Sequence, residues 1–223
     1  MFHPPTKNPK SMSELALQLI REAKTKKFKS LNLGSCGLTE LPMELFELVW
    51  LEELVVSNEE QWIEGKKGVA PPNSGKPNFL AEIPNEIRVL KHLKKLDFGY
   101  NQISNIKPLE ELTQLIWLDF NNNKVKDISP LSNLINLSYL VLWKNQVGDI
   151  KPLSKLQKLN YLNLGGNKID DITPLESLSR SGKLLFWGNQ INDITPLENL
   201  TLLSYVNFRS NQVNDITPIR NLL

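Results

Sequence analysis

Apolar positions in this chain return on a fixed beat. Asparagines fall at Asn101, Asn123, Asn145, Asn167, Asn189 and Asn211, each 22 residues after the one before. Each stands in the frame L-x-x-L-x-L-x-x-N-x-[IV]-x-x-I-x-P-L-x-x-L. Leu115, Leu118, Phe120, Asn123, Val125, Ile128, Pro130, Leu131 and Leu134 make one full copy. Within L-x-x-L-x-L the period is two, which predicts a short strand that buries its leucines and turns the intervening residues to the other face. Stacking such units predicts an α/β solenoid. A parallel sheet lines its concave face, short 3-10 or irregular turns line its convex face, and one core runs through it. The asparagine falls where the chain leaves the strand, where its amide can satisfy buried backbone groups of neighbouring turns.

Two looser repeats precede the six regular ones, making eight in all over residues 28–223. The first runs through Phe28, Leu31, Leu33, Cys36, Leu38, Leu41, Pro42, Leu45 and Leu48. The second opens with Leu51, Leu54 and Val56 and resumes at Asn78, Leu80, Ile83, Pro84, Ile87 and Leu90. Between them, residues 59–77 carry Gly65, Gly68, Pro71, Pro72 and Gly75 and read as an inserted loop. Ahead of the repeats, Ser11 and Glu14 have capping-box spacing, and Leu15, Ala16, Leu19, Ile20 and Ala23 recur at helical intervals. Residues 11–27 are therefore expected to form an amphipathic helix that closes the N-terminal end, behind a tail of residues 1–10. The last repeat finishes at Leu222 and Leu223 with no such cover, so that end is expected to continue or to be covered by another contact, within the chain or between subunits.

Composition removes whole classes of function. The net charge of +2 comes from 26 basic and 24 acidic residues, too balanced to recruit nucleic acid or an anionic membrane surface. No apolar run approaches a membrane span and no secretory leader is visible, so the expected compartment is the cytoplasm. One cysteine, Cys36, excludes an internal disulfide and stands in the asparagine position of the first repeat, where a small buried residue is expected. His3 and His92 build no metal site or nucleophile–base pair with it, and Gly65-Lys-Lys-Gly68 is not a phosphate loop. The ladder Asp127, Asp149, Asp171, Asp193 and Asp215, headed by Asn105, precedes each I-x-P-L and is expected to cap the convex turn rather than hold calcium. No catalytic residue, cofactor or metal is expected.

The concave positions are what the repeat leaves variable. The third strand position reads Ser30, Glu53, Lys95, Trp117, Tyr139, Tyr161, Lys183, Tyr205. The fifth reads Asn32, Val55, Asp97, Asp119, Val141, Asn163, Leu185, Asn207, and the seventh Gly34, Ser57, Gly99, Asn121, Trp143, Gly165, Trp187, Arg209. Rings gather in repeats four to eight, with hollows expected beside Gly165 and Gly188. Trp117, Asp119, Tyr139, Trp143, Lys144, Tyr161, Lys183, Trp187, Tyr205 and Arg209 are the residue types that dominate protein-binding hot spots, and form the candidate site. Two other readings stand beside it: the rings stack on one another along the sheet, or they hold a carbohydrate. Trp50 falls on the convex side and Trp62 in the insertion.

The 22-residue repeat with D-I-x-P-L resembles bacterial leucine-rich repeats of the internalin and phosphatase-regulator subtype. The opening from Ser13 to Lys24, then Leu31-Asn-Leu-Gly, Cys36-Gly-Leu-Thr-Glu-Leu-Pro and Leu51-Glu-Glu-Leu, resembles the N-terminal repeat region of prokaryotic Roco proteins. That resemblance implies a bacterial, cytoplasmic protein with a regulatory or scaffolding role, in a family whose repeats precede a Ras-like GTPase domain absent from this sequence. The internalin likeness implies an adhesin as a further alternative.

Overall fold

A computed structural model describes residues 13–58, 62–63, 66–67, 73, 75–220 and 222. The first element is helix α1, Glu14–Lys26, whose Ala16, Ile20 and Ala23 are buried against the first repeat. Ser13 sits at its N-cap with extended backbone and accepts a hydrogen bond from the Ala16 N–H at 3.4 Å. The cap is therefore Ser13 rather than Ser11, which lies outside the described residues. Glu14 is the first helical residue, placed where the helix dipole favours an acid. Trp50 fastens this end: its Nε1 donates to the Phe28 carbonyl at 3.0 Å, and the Lys27 ammonium lies 3.5 Å from the ring centroid.

Beyond α1 come β1 (Ser30–Asn32), β2 (Glu53–Val55), β3 (Trp62–Ile63), β4 (Lys66–Lys67) and β5 (Lys95–Asp97). They are followed by β6 (Trp117–Asp119), β7 (Tyr139–Val141), β8 (Tyr161–Asn163), β9 (Lys183–Leu185) and β10 (Tyr205–Asn207). One eight-stranded sheet runs β1-β2-β5-β6-β7-β8-β9-β10, and all its pairings are parallel. The strands β3 and β4 form a separate antiparallel pair inside the insertion. Short 3-10 turns return the chain along the convex side, and from Lys107 onward each has proline in its first turn, where the fixed φ suits the bend. The expected solenoid is the observed one.

Asparagine holds these coils together. Asn145 accepts the Val125 N–H at 2.9 Å and donates to the carbonyls of Phe120 (2.9 Å) and Leu142 (3.0 Å), so one side chain serves two repeats. Asn123, Asn167 and Asn189 do the same in turn. The ladder also crosses the insertion. Asn78 accepts the N–H groups of Cys36 and Leu38 and donates to the Leu33 and Val56 carbonyls, occupying the second repeat's rung although it lies 22 residues after Val56. Gly75 is required on the returning limb, because a Cβ there would stand 2.4 Å from the Ser35 carbonyl oxygen. Cys36 is buried, and desolvation pushes its thiol up to about 11, which keeps it protonated and inert.

The Asp ladder caps the turns. Asp127, Asp149, Asp171, Asp193 and Asp215 each accept, at 2.8 Å, the N–H two residues on. Among the described residues no cluster of acidic, histidine or cysteine side chains is arranged to hold a metal, and no helix is long and apolar enough to cross a membrane. At the far edge of the sheet, Tyr205, Leu202 and Ile216 are exposed at 48%, 62% and 62%.

Candidate functional site

Parallel, in-register strands bring equivalent residues of successive repeats side by side, about 4.8 Å apart. That spacing decides what a column of rings does. Trp117, Tyr139 and Tyr161 are register partners on β6, β7 and β8. Trp117 and Tyr139 stack with centroids 5.1 Å apart and planes at 10°, Tyr139 and Tyr161 with 4.3 Å and 8°. The Lys95 ammonium closes one end of the stack, 4.7 Å from the Trp117 centroid. Tyr139 is thus sandwiched on both faces, and burial pushes both phenols above their ordinary pKa, so they stay protonated. Lys183 follows in register and separates the stack from Tyr205 on the edge strand. This column is the self-stacking arrangement.

The seventh positions behave differently. Gly165 carries no side chain, and the Trp187 indole fills the place where one would be: a Cβ on Gly165 would lie 2.2 Å from the ring. The ring also covers Gly166, at 3.5 Å from where its Cβ would be. The hollow expected at Gly165 is therefore occupied. None exists at Gly188 either, whose φ of +66° and backbone neighbours mark it as a turn residue. Trp143 lies 6.4 Å from Trp187 at a tilt of 46°, and Tyr100 meets it edge-on at 5.9 Å. Arg209 sits 5.9 Å over Trp187, and the exposed Lys144, just past the strand, 4.9 Å over Trp143.

Between the two rows runs the fifth-position column. Asp97 is 1% exposed, with its Oδ1 accepting the Gly99 N–H and its Oδ2 the Ser57 hydroxyl, both at 2.9 Å. Asp119 is its register partner and only half-buried. Its Oδ1 takes both the backbone N–H and the side-chain amide of Asn121, at 2.7 and 2.9 Å. Its proton affinity is raised, first by desolvation and then by the charge of Asp97, against the opposing pull of Asn121 and Lys95. The Asn121 carbonyl oxygen is buried with no hydrogen-bond partner among the described residues. Val141, Asn163 and Leu185 continue the column, an apolar residue on either side of an amide.

Of the ten candidate residues, Trp117, Tyr139 and Tyr161 fall in one row and Trp143, Trp187, Lys144 and Arg209 in another. Asp119 lies between them, and Lys183 and Tyr205 stand toward the sheet edge. Sequence reasoning left out Lys95, Asp97 and Asn121, although all three stand in the variable strand columns. It also missed Tyr100, one of a run of left-handed residues with Ser35, Asn122, Lys144 and Ser210 at the strand exits. Of that run the sequence reading took in only Lys144.

The family model for leucine rich repeats (2 copies) matches residues 135–177. No curated protein matches the chain. Among solved structures, internalin C2 of Listeria monocytogenes superposes with a TM-score of 0.79 at 25% identity, over 95% of this chain and 90% of that one. A leucine-rich-repeat protein of Leptospira interrogans gives 0.62 at 21% identity, over 100% of this chain and 64% of its own. The plant peptide hormone receptor RGFR1, in complex with RGF2, gives 0.61 at 20%, over 78% of this chain and 27% of its own.

Proposed function

The chain is built of leucine-rich repeats, and on that premise we propose that it is a protein-interaction module whose concave face grips its partner in repeats four to eight. The observation that carries this reading is the Trp143–Trp187–Arg209 row. Packing within the sheet accounts for the Trp117–Tyr139–Tyr161 stack, where face meets face. It does not account for two indoles tilted at 46° on the wetted side of the sheet, with cations over them. Rings so placed, with arginine beside them, are the usual anchors of protein interfaces. A carbohydrate platform needs free ring faces, and the central ring of the Trp117–Tyr139–Tyr161 stack has none.

Affinity capture from the native cell tests this. The wild-type bait retains a partner that a Trp143→Ala/Trp187→Ala bait loses, each single substitution weakening binding by about 2 kcal/mol while circular dichroism stays unchanged. Loss of folding in those variants with binding intact would return the row to a purely structural role. A second reading rests on the opening motif from Ser13 to Pro42: a regulatory repeat region of a Roco-type GTPase in a bacterial cytoplasm. Reading the gene beyond the codon for Leu223 tests it, since an in-frame phosphate-loop domain is required.

A further inference from the structure

The concave face is graded in charge along the solenoid. Glu53, Asp97 and Asp119 lie in its middle column or beside it on β2, β5 and β6, whereas Lys144, Lys183 and Arg209 lie on or just beyond β7, β9 and β10. Lys95 stands at the acidic end too, its ammonium 4.7 Å over Trp117, so three carboxylates there face one cation. The two carboxylates of the pair are not equivalent. Both oxygens of Asp97 are engaged by Ser57 and Gly99, but Asp119 offers only Oδ1 to Asn121, so Oδ2 is left to the concave space. A half-buried carboxylate next to a buried one is under like-charge repulsion that a cation arriving from outside relieves.

Distance turns this grading into a pattern. Asp119 ends β6 and Arg209 follows β10, four strand spacings away, which is about 19 Å. An extended peptide covers that in about six residues. Between the ends lie Val141, Asn163 and Leu185, flanked by the two ring rows, a floor of two apolar side chains with one amide between them. We propose that the trough receives an extended segment of the protein partner running across the strands. The segment seats a lysine or arginine on Asp119 and an acidic side chain, about six residues along, on Arg209. This rests on the reading of the concave face as the binding surface and adds the chemistry of its occupant.

A random dodecapeptide display library panned on the full chain tests it, followed by calorimetry on the peptides selected. Selected peptides carry a basic and an acidic residue about six positions apart. Asp119→Asn weakens them at least about tenfold without loss of stability. Arg209→Glu weakens them similarly, and a peptide whose acidic residue is changed to arginine recovers binding to that variant alone. Peptides without the basic residue, indifference to Asp119→Asn, or no enrichment at all overturns the proposal. Peptides that bind but ignore Trp143→Ala and Trp187→Ala sink the concave-face reading itself. Sensitivity to the tryptophans with indifference to Asp119 sinks only the charge pattern.

Discussion

Repeats one to three and repeats four to eight share one sheet, yet their concave faces are made differently. In the early repeats small polar groups are tied together: Ser30 donates to Glu53, Ser57 to Asp97, and the Gly34 N–H to Asn32. In the late repeats the same positions carry rings, with Trp187 laid over Gly165. The register does not change across the boundary, and the asparagine ladder runs beneath both halves, so the backbone is indifferent to what it displays. The late half is also less completely packed. Ser181 stands where the other regular repeats have Leu93, Leu115, Leu137, Leu159 and Leu203. It is 1% exposed and its hydroxyl has no partner among the described residues. Here the face is elaborated while the core beneath it is left short.

If the ladder is what the two halves share, breaking it costs more than any change to the face. Asn145→Ala leaves the Val125 N–H buried without a partner, at about 1–3 kcal/mol, and strips the Phe120 and Leu142 carbonyls of one amide donor each, although Asn123 and Asn167 still reach them. The expected destabilisation is about 2–3 kcal/mol in urea unfolding, whereas Ser30→Ala on the early face changes stability by about 0.5 kcal/mol or less. Equal effects from the two would dissolve the distinction between frame and display.

The next largest effect separates the two ring rows. Gly165→Ala drives a methyl into the Trp187 indole and must lift it from its seat, so partner binding falls by about 2 kcal/mol, while stability changes by about 1–2 kcal/mol. Tyr139→Leu, inside the self-stacked row, reverses that order: stability falls by about 1 kcal/mol and binding changes less. Calorimetry and urea unfolding on the same samples decide between the rows.

The frame was legible in the sequence because periodicity reports burial. The 22-residue beat locates strands β5 to β10, the looser L-x-x-L copies locate β1 and β2, and the alternation within L-x-x-L-x-L separates core from display. Asn78 was legible too, since Leu80 and Ile83 downstream define its rung and the insertion upstream does not. The site was legible only as columns. Which ring would face a neighbour and which would lie across the sheet depends on contacts between repeats. Gly165 reads as a gap until Trp187, 22 residues on, is seen to fill it. Asp97 and Asp119 are neighbours in the fifth column of the sequence, but which of them is buried and how each is hydrogen-bonded depends on contacts that spacing does not report. Helix capping failed by two residues for a related reason: Ser11 and Ser13 both precede an acceptable helix start, and local spacing does not choose between them.

Ser181→Leu probes the packing half of the contrast. Restoring the leucine column buries apolar surface and removes an unsatisfied hydroxyl, so the chain gains about 1–2 kcal/mol and the late repeats unfold together with the early ones. A loss of stability instead means that the core has already closed around the serine, and that the late half is as tightly packed as the early one.

The smallest effect lies at the boundary between the halves, in the pH dependence set by the Asp97–Asp119 pair. In the folded chain Asp119 holds its proton above the ordinary value of 3.8, chiefly through burial and then through Asp97, with Asn121 and Lys95 pulling the other way. Between that value and the raised one the folded state binds a proton that the unfolded chain has released. Stability from this group is therefore present at low pH and is lost as pH rises through the window. The turn-capping aspartates have the opposite sign. Hydrogen bonds from Ser129, Thr173, Thr195 and Thr217 hold Asp127, Asp171, Asp193 and Asp215 below 3.8, so their contribution is present at neutral pH and is lost as pH falls below that point. The urea midpoint should accordingly rise as pH is lowered toward about 4 and fall again below it. Asp119→Asn keeps an acceptor for the Asn121 N–H but carries no charge. It should raise the midpoint at pH 7, abolish the rise on mild acidification and leave the fall below about pH 4 intact. An unchanged slope in that variant would mean that no strain is stored at the junction, and the acidic end of the trough would then be as relaxed as the polar face of the early repeats.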